Sequence, residues 1–78
     1  MDEKISKDKA IQLARHFFKL PAEKEVYVAY LEAENDVQYW WVTFIFPAKE
    51  GYIYPQNEFL TARVNEATGK IEQMPSTL

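Results

Sequence analysis

Residues 37–46 read Val-Gln-Tyr-Trp-Trp-Val-Thr-Phe-Ile-Phe, and the fold turns on this stretch. Nearly every position is β-branched or aromatic, which suits a pleated surface and argues for a strand. Successive side chains of a strand point to opposite faces. Trp40, Val42, Phe44 and Phe46 therefore share one side, and Tyr39, Trp41, Thr43 and Ile45 share the other. Both sides are largely apolar, so this is a central strand with two faces to cover.

Upstream, Glu34-Asn35-Asp36 reads as a turn, because Asn and Asp tolerate left-handed backbone and bond their own main chain. Before it, residues 26–33 alternate, with Val26, Val28 and Tyr30 on one side and Tyr27, Ala29 and Leu31 on the other. Downstream, a polar-aromatic connection over residues 47–56 leads to a third strand over residues 58–65. There Leu60, Ala62 and Val64 face one way and Phe59, Thr61 and Arg63 the other. Glu66-Ala67-Thr68-Gly69 is a tight hairpin, with Gly69 supplying positive φ, and residues 70–74 form a short closing strand. At the amino end Ser6 is a helix N-cap. Ala10, Leu13, Ala14 and Phe17, widened by Ile11 and Phe18, form the apolar stripe of a helix that stops near Lys19 or Leu20, ahead of Pro21. The predicted fold is α+β: one domain over residues 1–78, with an N-terminal helix packed on one face of a four-stranded antiparallel meander sheet.

Composition agrees and narrows the chemistry. Seventy-eight residues with 47% apolar and 15% aromatic content make one small globular core. The absence of cysteine removes disulfides, thiol nucleophiles and Cys-based metal sites, and one histidine, His16, removes a His-rich one. Neither a metal nor a cofactor is expected. Net charge is −3, unevenly spread. Six basic residues fall in residues 1–24, on and around the helix, whereas residues 25–78 hold Lys49, Arg63 and Lys70 against eight acidic residues. A solvated helix face explains the former, so nucleic acid is not an expected partner. No stretch has the roughly 18 apolar residues of a membrane span, and residues 1–10 lack a signal-peptide core. A cytoplasmic protein is expected from the chain as written, and an extracytoplasmic one if it is a piece of an exported protein.

Ile5-Ser6-Lys7-Asp8-Lys9-Ala10-Ile11-Gln12-Leu13-Ala14, the strand Tyr39-Trp40-Trp41-Val42, and Ala62-Arg63-Val64-Asn65-Glu66-Ala67-Thr68-Gly69-Lys70-Ile71 follow one another in order. This arrangement resembles the PepSY family, whose helix opens with Ser-x-x-x-Ala and whose last hairpin reads Val-Asp-x-x-Thr-Gly-Lys. Asn65 stands where that family often has Asp. Small bacterial immunity proteins show a similar order of helix, Trp-Val strand and Thr-Gly hairpin. The PepSY resemblance implies a non-catalytic protein-binding or inhibitory module that regulates a peptidase. The alternative resemblance implies an antitoxin that neutralises a cognate bacterial toxin.

Few residues suggest catalysis. His16 borders the polar helix face without a nucleophile or further ligands at useful spacing. Glu32, Glu34 and Asp36 crowd a turn but lack the Asp-x-Asp-x-Asp-Gly pattern of a calcium loop, so a solvated turn is expected. An enzyme, the third class, would need a cleft holding Arg63, Glu58 or His16. The aromatic surplus is more informative. A single helix covers one sheet face, and the uniformly apolar Trp40/Val42/Phe44/Phe46 side matches Leu13, Phe17 and Phe18. Tyr39, Trp41 and Ile45, joined by Tyr27, Leu31 and Phe59, are left on a face without a helix. Three outcomes stay open: the loop with Tyr52, Ile53 and Tyr54 folds over it, two copies associate through it, or a protein partner docks there with Arg63 and Thr61 as orienting groups. The candidate partner-binding residues are Tyr39, Trp41, Ile45, Tyr52, Tyr54, Phe59 and Arg63.

Overall fold

A computed structural model describes residues 4–46 and 58–75. Helix α1 spans Lys7–Phe17, and four strands follow: β1 Val28–Glu34, β2 Val37–Phe46, β3 Glu58–Asn65 and β4 Ile71–Met74. The strands lie in the order β1-β2-β3-β4, each antiparallel to its neighbour. This is the predicted helix-on-meander arrangement, and α1 touches all four strands.

The Ser6 hydroxyl accepts a hydrogen bond from Lys9 N at 3.1 Å, occupying one of the amides that a first turn leaves unpaired. At the other end Lys19 adopts φ 57°, Leu20 N donates to Arg15 O at 2.8 Å and Lys19 N to His16 O at 3.1 Å. These two bonds are a Schellman closure with lysine in the position that glycine usually takes. The helix thus ends a turn ahead of Pro21, slightly earlier than predicted. Because a side chain in left-handed backbone is strained, Lys19→Gly is expected to raise stability by about 0.5 kcal/mol in urea titration, after glycine's own entropic cost. A loss of stability would show that the lysine side chain holds the cap.

Ala10, Ile11 and Ala14 are buried in α1 against Val42, Phe44, Ala62 and Val64 of the sheet. Phe18 reaches Phe44 edge-on, with ring centroids 6.2 Å apart. Phe17, expected in the same stripe, is 40% exposed and touches the ring of Phe18 instead. The buried line runs 10-14-18, which leaves position 17 on its shoulder.

Two departures concern β1. The strand begins at Val28, not Val26, and Tyr27 N donates to Thr43 O although Val28 is the register partner of Thr43. Tyr27 and Val28 both address Thr43, as in a β-bulge, and strict alternation fails there. Val26 packs toward the core, while the Tyr27 ring meets Phe59 on the opposite face at 5.5 Å. In addition, the β1–β2 turn has only two residues, Asn35 and Asp36, at φ 53° and 67°. Glu34 pairs with Val37, and Leu31 therefore opposes Trp40 on the helix side, not Trp41.

Side chains lock the segments between elements. The Trp40 indole N–H donates to Ile5 O at 2.7 Å, and Ile5 N donates to Glu66 O at 2.7 Å. After the helix, Arg15 Nε donates to Lys24 O at 2.8 Å, and Lys24 Nζ donates to Ile45 O at 2.6 Å while lying over the Phe46 ring. In the last hairpin the Asn65 carboxamide oxygen accepts from Ala67 N and Thr68 N, and Gly69 sits at φ 78°. Asparagine forms this turn as aspartate would.

Candidate functional site

The candidate site is the sheet face turned away from α1. Register alone places its members: Tyr39 opposite Asn65, Trp41 opposite Arg63, Thr43 opposite Thr61 and Ile45 opposite Phe59. Tyr39, Trp41, Ile45, Phe59 and Arg63 are thus brought to one face, and each is half-buried. Tyr52 and Tyr54 lie outside the described residues.

Arg63 organises one end of the face. Its guanidinium stands 4.1 Å from the Tyr39 ring centroid and 5.9 Å from that of Trp41. The same group donates from Nη1 to Glu34 at 2.7 Å and from Nη2 to Glu72 at 3.0 Å. Three strands are tied together through this one side chain. Burial pulls the pKa of Arg63 down, but the hydrogen bond and charge of Glu72, helped by Tyr39 and Glu34, raise it by more, so it lies above its ordinary value. The Arg63 Nε is buried and has no hydrogen-bond partner among the described residues. Glu34 was expected to be a solvated turn residue; its carboxylate is instead engaged by Arg63.

Tyr30 stacks on Trp41 with centroids 6.4 Å apart and planes 5° from parallel. It occupies the place the sequence reading gave to Leu31. At the other end Tyr27 and Phe59 meet edge-on. Between the two clusters Thr43 and Thr61 are buried and hydrogen-bonded through their hydroxyls at 2.9 Å. Thr61 is therefore enclosed and does not present an orienting group to the exterior, contrary to expectation. Tyr30, Glu34 and Glu72 were missed as members of this face. Counting back from a two-residue Asn-Asp turn would have found Tyr30 and Glu34.

The remaining chemistry of the described residues is modest. His16 is exposed and borders a shallow depression with Gln12, Arg15, Leu20 and Ala22. A second depression runs between the two hairpin ends, lined by Lys4, Asp36, Gln38 and Glu66 among others. Among the described residues no three acidic or histidine side chains converge as a metal site, and no helix is long and apolar enough to cross a membrane. The chain matches no family model, curated protein or solved structure. The PepSY resemblance thus rests on short sequence motifs alone.

The side chains of the open face form a largely aromatic surface. Flat rings, held in place by cross-strand stacking and a guanidinium, offer apolar area at little further entropic cost on binding. The polar tips of Tyr27, Tyr30 and Tyr39 can donate or accept hydrogen bonds around it.

Proposed function

We propose that this chain is a non-catalytic protein-binding module that holds a partner protein on the sheet face opposite α1 and restrains it. The observation that carries this reading is the pre-arranged aromatic array of Tyr30, Tyr39 and Trp41 around Arg63, on a face that α1 does not cover. Tyr, Trp and Arg are the residue types that dominate binding hot spots. The resemblance to PepSY domains points to a peptidase as the partner. The acidic surplus of residues 25–78 favours, as the second reading, a toxin with a basic active site.

The test is titration of the purified protein against the peptidase and the toxin encoded nearest to it, with inhibition as the readout. Trp41→Ala is expected to weaken the productive pair tenfold or more. Its cost to folding should be only about 1–2 kcal/mol, because the ring is half-buried and loses mainly its stack with Tyr30. If Trp41→Ala unfolds the domain, Trp41 belongs to the core and the proposed surface is wrong. If the folded variant inhibits as well as the parent, the partner sits elsewhere.

A further inference from the structure

Four of the six large apolar side chains exposed among the described residues lie along one edge of the sheet. Tyr27 is 54% exposed, Val28 37%, Tyr30 44% and Leu31 40%, all on or beside β1. Since the strand order places β1 at the edge, half of its backbone groups have no strand to bond among the described residues. Which half follows from the turn. A two-residue hairpin makes Glu34 and Val37 a hydrogen-bonded pair, so Val28, Tyr30, Glu32 and Glu34 bond inward to β2. Ala29, Leu31 and Ala33 therefore aim their N–H and C=O groups away from the sheet. Natural edges are usually blunted by lysine, proline or a bulge along their length. The bulge at Tyr27–Val28 marks only the start of β1; from Val28 to Glu34 there is no lysine and no proline, the charges are Glu32 and Glu34, and the register runs unbroken.

We propose that β1 pairs antiparallel with β1 of a second copy of this chain, about a twofold axis at Leu31, joining the two sheets edge to edge. The register of β1 admits a second copy, and charge selects the direction. Leu31 is the midpoint of β1, so this pairing overlaps the whole strand and sets Leu31 opposite Leu31, Ala29 opposite Ala33, Tyr30 opposite Glu32 and Val28 opposite Glu34. All three outward-facing residues of each copy then meet outward-facing residues of the other, and their donors and acceptors are satisfied together. A parallel in-register pairing would set Glu32 on Glu32 and Glu34 on Glu34, which like-charge repulsion disfavours. In the antiparallel arrangement no two carboxylates are directly opposed. Glu34 is moreover ion-paired at 2.7 Å with Arg63 of its own chain, a cation it shares with Glu72. The outward backbone of β1 is distinct from the open face, although Tyr30 belongs to both, and the proposal does not require that face to bind a partner.

The experiment is sedimentation equilibrium of the full chain from low to high micromolar concentration. The wild-type protein is expected to double in mass with concentration. Leu31→Lys, which sets two ammonium groups against each other on the axis, is expected to abolish the doubling. Phe17→Lys removes an equally exposed apolar side chain from α1 and should leave it intact. Circular dichroism checks that each variant is folded. Because the chain contains no cysteine, a single Leu31→Cys reads the register directly. Directly paired residues lie about 5.5 Å apart at Cα, within disulfide reach, so mild oxidation should cross-link Leu31→Cys rapidly and Ala29→Cys hardly at all. A wild-type monomer at every concentration overturns the proposal and leaves the edge to a strand of some other protein. A dimer that survives Leu31→Lys but is lost in Trp41→Ala overturns it in favour of association through the open face.

Discussion

Phe44→Ala is expected to lower stability by about 3–5 kcal/mol, the usual range for emptying a phenylalanine site in a core. The ring is 0% exposed and is the largest fully enclosed side chain among the described residues. It sits in the central strand beneath α1, opposite Leu60 on β3 and edge-on to Phe18 from the end of the helix. Removing it takes away the contact between sheet and helix terminus at once, and the rigid strands on either side cannot collapse into the space. A domain of this length has roughly 4–12 kcal/mol in total, so the loss is a large share of it. Urea unfolding followed by the fluorescence of Trp40 and Trp41 measures it directly. The midpoint should fall with little change in slope, since the same surface is exposed on unfolding. A cost below about 1 kcal/mol would mean that the ring is not enclosed.

Ala14→Leu is expected to cost about 3 kcal/mol, the upper end of the range for over-packing. Ala10 and Ala14 are both fully buried, and their small side chains let the helix backbone lie close to Val42, Ala62 and Val64. A leucine there could be admitted only if α1 moved off the sheet, and α1 is not free to move. Its start is fastened through Ile5 to Trp40 and Glu66, and its end through Arg15 to Lys24 O, with Lys24 in turn bonded to Ile45 O of β2. Gln12→Leu, on the exposed side of the same helix, should change stability by no more than about 0.5 kcal/mol. If Ala14→Leu proves equally silent, the two layers are not in close contact at that point.

The β2 stretch could be read from its composition because a run of β-branched and aromatic residues has no competing periodicity, and its strand bounds, 37–46, are those of the structure. The face of β2 under the helix was also legible, since Val42 and Phe44 are the residues it buries. The neighbouring strand was misread for one reason. A three-residue Glu34-Asn35-Asp36 turn would place Leu31 opposite Tyr39 and hence on the open face. With two residues in the turn, the register shifts by one and every side chain of β1 changes sides, which exchanges Leu31 for Tyr30. Arg63 was recognised as a member of the face, but its partners were not. Glu34 and Glu72 lie on two other strands, and only the assembled register shows that one guanidinium spans both. Thr61 looked like a polar group available at the surface because alternation gives direction and not depth. Its hydroxyl is spent on Thr43.

The short fastening of Ile5 to Trp40 and Glu66 bears on how the polypeptide acquires its shape during synthesis. The helical segment emerges from the ribosome before the strands, yet the groups that anchor its start arrive with β2 and later with the β3–β4 hairpin. An isolated helix of 11 residues is marginal in water. Translation must therefore deliver the sheet through its last hairpin before the helix can settle, and until then the Trp40/Val42/Phe44 surface is bare and open to capture by chaperones.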